Sequence, residues 1–434
     1  MHVFFSVDQR HHGVGPVKYA WDPSGSFLAS TGTSRVVHIF NRLGELVDQV
    51  VPPSPSMCTH LEWSQPSRDA KAASLVLAIA QANATSVLLW AAATQTTATV
   101  DVGVKEITLL KWNKLAPTSQ AESAHEPDEP LLAIGTSRGH VFLYDAISGL
   151  RAAASKHKRK ILCGDWNSQR EFAFGSEDRQ ITICDKGGVT LDQVKIKAPP
   201  ISIQFGGRGH VKHILSVNMG GQTILLYDLL EKDNALELAF QARYGNIVNY
   251  KWFGNGYIIA GFSSGYVVII STHLNEIGQE QYCAKFHDDH LHAICYNETN
   301  GMVATCGDTC IKVVRMADWK EIAVEDLDRD ATQFDDLNWT CDGRVLSVSC
   351  HNGWLHHFKL VHMEQSLHQS LLEDPASLLS TTGLVTASLR PFTPTVLLLT
   401  TVALVVLVVF CFATVMQVDM KVLLYAMTGW TPLL

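Results

Sequence analysis

Trp112, followed past an insertion by Leu131-Leu-Ala-Ile-Gly135-Thr-Ser-Arg-Gly139-His-Val-Phe-Leu-Tyr-Asp145, is the stretch whose reading decides the fold. An aromatic residue leads one segment, an apolar strand follows, a short turn ends in glycine, and a second apolar strand ends at aspartate. The grammar returns after Trp166 as Phe172-Ala-Phe-Gly175-Ser-Glu-Asp-Arg-Gln-Ile-Thr-Ile-Cys-Asp185. It returns again after Trp252 as Tyr257-Ile-Ile-Ala-Gly-Phe-Ser-Ser-Gly265-Tyr-Val-Val-Ile-Ile270, and after Trp339 as Val345 to Phe358. Short apolar runs separated by turn residues predict antiparallel hairpins, not helices.

Marking each unit by its aromatic gives Trp21, Trp63, Trp112, Trp166, Phe205, Trp252, Tyr296 and Trp339, at steps averaging about 45 residues. That period is the one expected of propeller blades of the WD40 type. The fold expected over residues 1–360 is therefore all-β, a WD40-type β-propeller of seven or eight blades. Strands apolar on both faces, such as Val141 to Tyr144, suit sheets that stack on neighbours at either side. The run Val3 to Val7 is expected to complete the last blade. The Trp-Asp dipeptide is degenerate and survives as Tyr144-Asp145, Cys184-Asp185 and Tyr227-Asp228. His157 and His287 each precede an aromatic marker by nine residues, where WD40 repeats carry a histidine in a buried hydrogen-bond network, so both are given a structural role.

Composition narrows the functional classes. The 434 residues carry 34 Lys plus Arg against 42 Asp plus Glu, and 47% are hydrophobic, as in folded proteins. A net charge of -8 supplies no basic field for a phosphate backbone, which argues against nucleic acid as the main partner. Ten cysteines without a Cys-x-x-Cys pair read as reduced, buried thiols. The N-terminal apolar run stops at Asp8, short of a secretory signal, so the sequons at Asn83, Asn297 and Asn338 are read as chance.

The C-terminal part differs. Residues 361–390, rich in Ser, Thr and Leu, read as a linker. From Pro391 to Val418 there are 28 consecutive uncharged residues, long enough to cross a bilayer as a helix, and 419–434 form a short tail. This hydrophobic helix is expected either to anchor the chain in a membrane by its tail or to be sequence foreign to the native protein.

Candidate chemistry is sparse. Gly261-Phe-Ser263-Ser-Gly265 satisfies the nucleophile-elbow pattern, but it lies between two strand segments where that chemistry needs a strand and then a helix. His287-Asp-Asp-His290-Leu-His292 holds enough ligand types for zinc, yet His287 already has a place in the repeat register. His356 and His357 point to opposite faces of one strand. Lys156-His-Lys-Arg-Lys160 is the one dense basic run and reads first as a solvated loop, with phosphate, lipid headgroups or an acidic protein as its alternative contacts. The acidic stretch Ser119 to Pro130 is expected to be an exposed loop. No phosphate-binding loop, zinc-protease helix or dinucleotide fingerprint occurs, so no enzyme, cofactor or small-molecule substrate is expected.

Gly245-Asn-Ile-Val-Asn-Tyr-Lys-Trp252, Gly261 to Gly265 with Ser271-Thr-His273, Glu276-Ile-Gly-Gln-Glu280 and Val303 to Lys312 together resemble the N-terminal propeller of the WD repeat-containing protein 19 family. The resemblance runs to about Leu360. It implies a non-enzymatic scaffold of intraflagellar transport complex A, working in retrograde transport at the cilium, flagellum and basal body, with other subunits of that complex as partners. Family members continue into a second propeller, a helical solenoid and a cysteine-rich region. The apolar tail departs from that pattern.

Overall fold

A computed structural model describes residues 1–66, 75–113, 130–207, 209–327 and 333–360. The expected linker, hydrophobic helix and acidic loop lie outside the described residues. Thirty-two strands form eight four-stranded antiparallel sheets. The blade count, open between seven and eight from sequence, is eight.

Blades one to eight begin with the strands Lys18–Trp21, Cys58–Trp63, Ile107–Trp112, Ile161–Trp166, Pro200–Phe205, Ile247–Phe253, Leu291–Asn297 and Phe334–Trp339. Every aromatic marker sits at the last or next-to-last position of one of these first strands. Within each of the first seven blades the strands pair in chain order, so turns alone connect them. The last blade is completed by the other end of the chain. His2–Val7 pairs antiparallel with Leu355–Lys359, with His2 opposite Lys359 and Val7 opposite Leu355. Closure of this kind joins the two ends of a ring that would otherwise bear two unmatched blade faces.

The core is a series of interfaces between blades. In blade two, Leu77, Ile79 and Trp90 pack with Ala29, Val37 and Ile39 of blade one. The alternate residues Ala78, Ala80, Val87 and Leu89 pack with Ile107, Leu110 and Trp112 of blade three. Successive side chains on a strand point to opposite faces, so a sheet sandwiched between two others is apolar at nearly every position. That is the physical source of the two-faced strands. Blades three and four repeat the arrangement through Ala133, Val141, Ile161 and Trp166, and blades eight and one through Val7, Leu355, Leu28 and Phe40.

Antiparallel order puts the first and third turns of all blades on one face of the ring. The second turns and the interblade connections share the other. First strands of neighbouring blades approach one another from blade one through blade five and from blade six through blade eight, so they surround the axis.

Candidate functional site

The aromatic markers do more than fill space. The Trp63 indole N–H donates to the Ala20 carbonyl at 3.0 Å, Trp112 to Glu62 at 3.1 Å, and Trp166 to Lys111 at 2.9 Å. Each acceptor is the residue just before the marker of the preceding blade. In two blades a second-strand serine takes the bond instead: Trp21 reaches Ser347 Oγ and Trp252 reaches Ser216 Oγ, both at 2.7 Å. Trp339 is 6% exposed and its N–H has no acceptor among the described residues.

Third-strand aromatics bond backwards in the same sense. Trp90 donates to Asp48 Oδ2 of blade one at 2.7 Å, and the Tyr227 hydroxyl donates to Asp192 Oδ2 of blade four at 2.7 Å. Tyr227 belongs to a degenerate Trp-Asp pair. Trp90 has the position but is followed by Ala91, which hid it from the motif.

His157 and His287 hold the interblade connections. His157 is buried, with Nε2 at 2.9 Å from Thr182 Oγ1 and Nδ1 at 3.0 Å from Asp178. Asp178 also accepts the Lys158 backbone N–H at 2.9 Å. His287 repeats this, with Nε2 at 3.0 Å from Thr305 Oγ1 and Nδ1 at 3.7 Å from Asp308. Asp308 accepts the backbone N–H groups of Asp288, Asp289 and His290. Burial pushes the His287 imidazole down to about 4, with the Asp308 carboxylate pulling the other way. A third member is His12, also nine residues before a marker, which bonds Ser30 Oγ at 2.9 Å and the Gly353 carbonyl at 3.0 Å. Its spacing to Trp21 was available in the sequence; what obscured it was its position before the first blade.

The aspartates that end third strands cap the third turns. Asp145 Oδ1 accepts from Ile147 and Ser148 backbone N–H groups at 3.0 and 2.6 Å, and Arg151 lies at 2.9 Å from Oδ2. Burial alone would raise the Asp145 carboxyl, but the Ser148 and Arg151 donors hold it below its ordinary value. Asp185 accepts from Gly187 and Val189, and Asp228 from Leu230. These are Asx-type turns, in which a carboxylate replaces the missing backbone acceptor.

Ser263 lies in the hairpin turn between Tyr257–Phe262 and Tyr266–Ser271, with Oγ accepting the Asn246 N–H at 2.9 Å. Gly265 in the same turn has φ +85°, and a Cβ there would land on the His287 carbonyl oxygen. The strand-turn-helix of an elbow is not formed. His287 faces Thr305, while the rings of His290 and His292 lie 5.5 Å apart. Among the described residues no three His, Cys, Asp or Glu side chains are arranged to hold a metal ion. His357 is buried against Ser347, while His356 meets Ser6. The nine described cysteines are free thiols, and burial pushes Cys58 and Cys350 up to about 11.

The two faces of the ring offer different surfaces. On the face of the first turns, Trp21, Glu62, Lys251, Tyr296, Asn338 and Trp339 line the channel mouth, a cavity of about 390 Å³. Glu62 is paired there with Lys111 of the next blade at 3.0 Å, and holds that ammonium above its ordinary value. The opposite face carries the interblade connections, including the basic run Lys156 to Lys160.

An eight-bladed ring with interblade tryptophan bonds and histidine-aspartate connections defines a propeller of the WD-repeat class, whose members hold loops on rigid sheets for contact with other proteins. The family model for the WDR19 first beta-propeller matches residues 17–353, and the chain belongs to that family. It is 33% identical over 364 residues to the human WD repeat-containing protein 19, and equally to the mouse protein. It is 27% identical over 352 residues to WD repeat-containing protein dyf-2 of Caenorhabditis elegans. The matches take in 80–82% of this chain but only 24–26% of these relatives, so the chain spans about a quarter of their length. Among solved structures, the computationally designed Ika8 protein superposes with a TM-score of 0.63 at 15% identity, covering 83% of this chain and all of that one, a likeness of fold alone. No helix among the described residues is long and apolar enough to cross a membrane.

Proposed function

We propose that this chain is a non-enzymatic protein-interaction scaffold of retrograde ciliary transport, contributing to intraflagellar transport complex A at the cilium, flagellum and basal body. The observation that carries the reading is the family match over residues 17–353, which begins at the first blade and ends in the last. The physical support is the ring itself. Connections pinned by His12, His157 and His287 present fixed backbone to a partner, and loops on a rigid frame bind with little ordering entropy. The partner surfaces are the interblade connections and the channel mouth.

Affinity capture of the tagged chain from ciliated cells tests this. Recovery of other complex A subunits is the expected result, and recovery of none of them defeats the assignment. A second reading, a tail-anchored or coat-like membrane adaptor, is favoured by the uncharged residues 391–418. Carbonate extraction decides it: an anchored chain stays in the membrane pellet, whereas release into the supernatant removes the anchor.

A further inference from the structure

The basic run Lys156 to Lys160 does not stand alone. The connection that carries it lies over the second turn of blade three, where the His157 N–H donates to the Gly139 carbonyl at 2.9 Å. Gly139, at φ +80°, has no room for a Cβ beneath the carbonyls of His157 and Arg159. On one side that turn is tied to the preceding connection, Ser137 N–H to the Glu106 carbonyl at 3.0 Å. On the other, the run is tied to the second turn of blade four, Glu177 N–H to the Lys160 carbonyl at 2.9 Å and Ser176 Oγ to the Arg159 carbonyl at 3.0 Å.

These bonds make four segments into one continuous strip. Its exposed cations are Lys105, Arg138, Lys156, Lys158, Arg159, Lys160 and Arg179, seven in all, against the three carboxylates Glu106, Glu177 and Asp178. On a chain of net charge -8 this local excess of four positive charges is concentrated on one face. Asp178 is turned inward to His157 and the Lys158 N–H. The other two carboxylates make only long pairs, Arg159 with Glu177 at 3.8 Å and Lys160 with Glu106 at 3.9 Å. Both pairs are exposed and weak.

We infer that the interblade face of blades three and four is a docking strip for an acidic protein segment, one whose Asp and Glu side chains fall between Glu106 and Glu177. This rests on the scaffold reading and names the partner chemistry for one of its surfaces. The two carboxylates favour a peptide over a membrane. A sheet of anionic headgroups would press negative charge onto Glu106 and Glu177 and onto an acidic body, whereas a peptide places its charges between them. The bonds between its four segments hold the strip's backbone, so docking orders side chains more than loops.

The test is fluorescence anisotropy of a labelled twelve-residue peptide alternating Asp and Glu with Ser, titrated with the full-length chain at 50 and 300 mM salt. An Asn/Gln version of the peptide and phosphatidylserine vesicles form separate arms. The expected result is saturable binding of the acidic peptide alone, weakened at least tenfold by the higher salt. The triple variant Lys158→Glu, Arg159→Glu, Lys160→Glu should weaken binding at least tenfold, while Lys320→Glu with Arg344→Glu, on exposed residues of other blades, should change it less than twofold. Equal loss in both variants, equal binding of the neutral peptide, or vesicle binding without peptide binding overturns the inference. Co-purification of complex A subunits with the triple variant separates the two claims, since it leaves the scaffold reading intact while the strip fails.

Discussion

Replacing His287 by glutamine should flatten the acid sensitivity of the ring. The buried imidazole is held neutral, its proton affinity pushed down to about 4 by burial, while in the unfolded chain it titrates near ~6.5. A base with a depressed folded value binds fewer protons when folded, so stability is complete above the unfolded value. It is lost as pH falls through about 6.5 toward the folded value. Linkage over that interval gives roughly 2 kcal/mol lost between pH 7.5 and 5 for this one residue, and roughly 3 kcal/mol once pH lies below about 4. The carboxylates Asp178 and Asp308 are held low by their donors and begin to contribute only near and below about pH 4, so the window from 7.5 to 5 isolates the histidines. His38, likewise lowered to about 4 by burial, adds a similar loss. The assay is urea unfolding at pH 7.5, 6 and 5, comparing midpoints at constant slope. Parent chain and His287→Gln should differ most at pH 7.5 and approach each other by about 2 kcal/mol at pH 5. Parallel pH curves would refute the buried neutral imidazole and with it the role of Thr305 as its fixed partner.

Three further outcomes follow from the geometry. Trp166→Phe removes the N–H that satisfies the Lys111 carbonyl and should cost about 1–3 kcal/mol in urea unfolding, whereas Trp339→Phe, which deletes an N–H without an acceptor, should cost at least about 1 kcal/mol less; equal penalties would show that the indoles act by packing alone. Gly265→Ala combines a left-handed backbone with collision against the His287 carbonyl and should destabilise by roughly 3 kcal/mol. Gly301→Ala, at φ +64° with open space around it, should cost only about 1 kcal/mol, and a thermal scan that ranks the two the other way contradicts the close packing of connection on turn. Removing residues 1–8 leaves Leu355–Lys359 as a bare edge and exposes Leu28 and Phe40; light scattering should show association of the truncated chain, and a stable monomer would mean the ring holds without its closing strand.

The ring was legible because its period is written in large residues. Trp21, Trp63, Trp112, Trp166, Trp252 and Trp339 recur at about one or two blade periods, and each lies at or next to the end of a first strand. His157 was legible by spacing, and His12 obeys the same spacing. Trp90 was not legible, because the motif is defined by the aspartate after the aromatic and here the carboxylate comes from Asp48 in the neighbouring blade. The aspartates that do follow an aromatic or cysteine, such as Asp145 and Asp185, turned out to serve their own turns. The basic strip was half legible. Lys156 to Lys160 stand out in the chain, but Lys105, Arg138 and Arg179 lie 18 or more residues from their nearest cation in another segment of the strip, and only the bonds between turns bring them together.

Bonds between blades decide how the ring behaves as a frame. Trp21, Trp63, Trp112, Trp166 and Trp252 each donate to the blade before their own, as do Trp90 and Tyr227. Other side chains donate forward, Thr108 to the Ile161 carbonyl, Gln204 to Tyr250 and Asn297 to Thr340, so neighbouring blades are tied by donors running both ways. Losing one blade leaves buried carbonyls without donors on one side and indole N–H groups without acceptors on the other, a penalty of about 1–3 kcal/mol for each group in addition to the bare apolar face. An open array of repeats can fray from its ends, since each unit answers only to its neighbours. A closed ring has no end from which to fray, and Trp21, which reaches Ser347, bonds the N-terminal to the C-terminal part of the chain where the ring closes. Loops on such a frame keep their spacing when one of them is loaded. On the proposed reading, the channel mouth and the connections of blades three and four lie on opposite faces of that frame, so a partner on one leaves the other open.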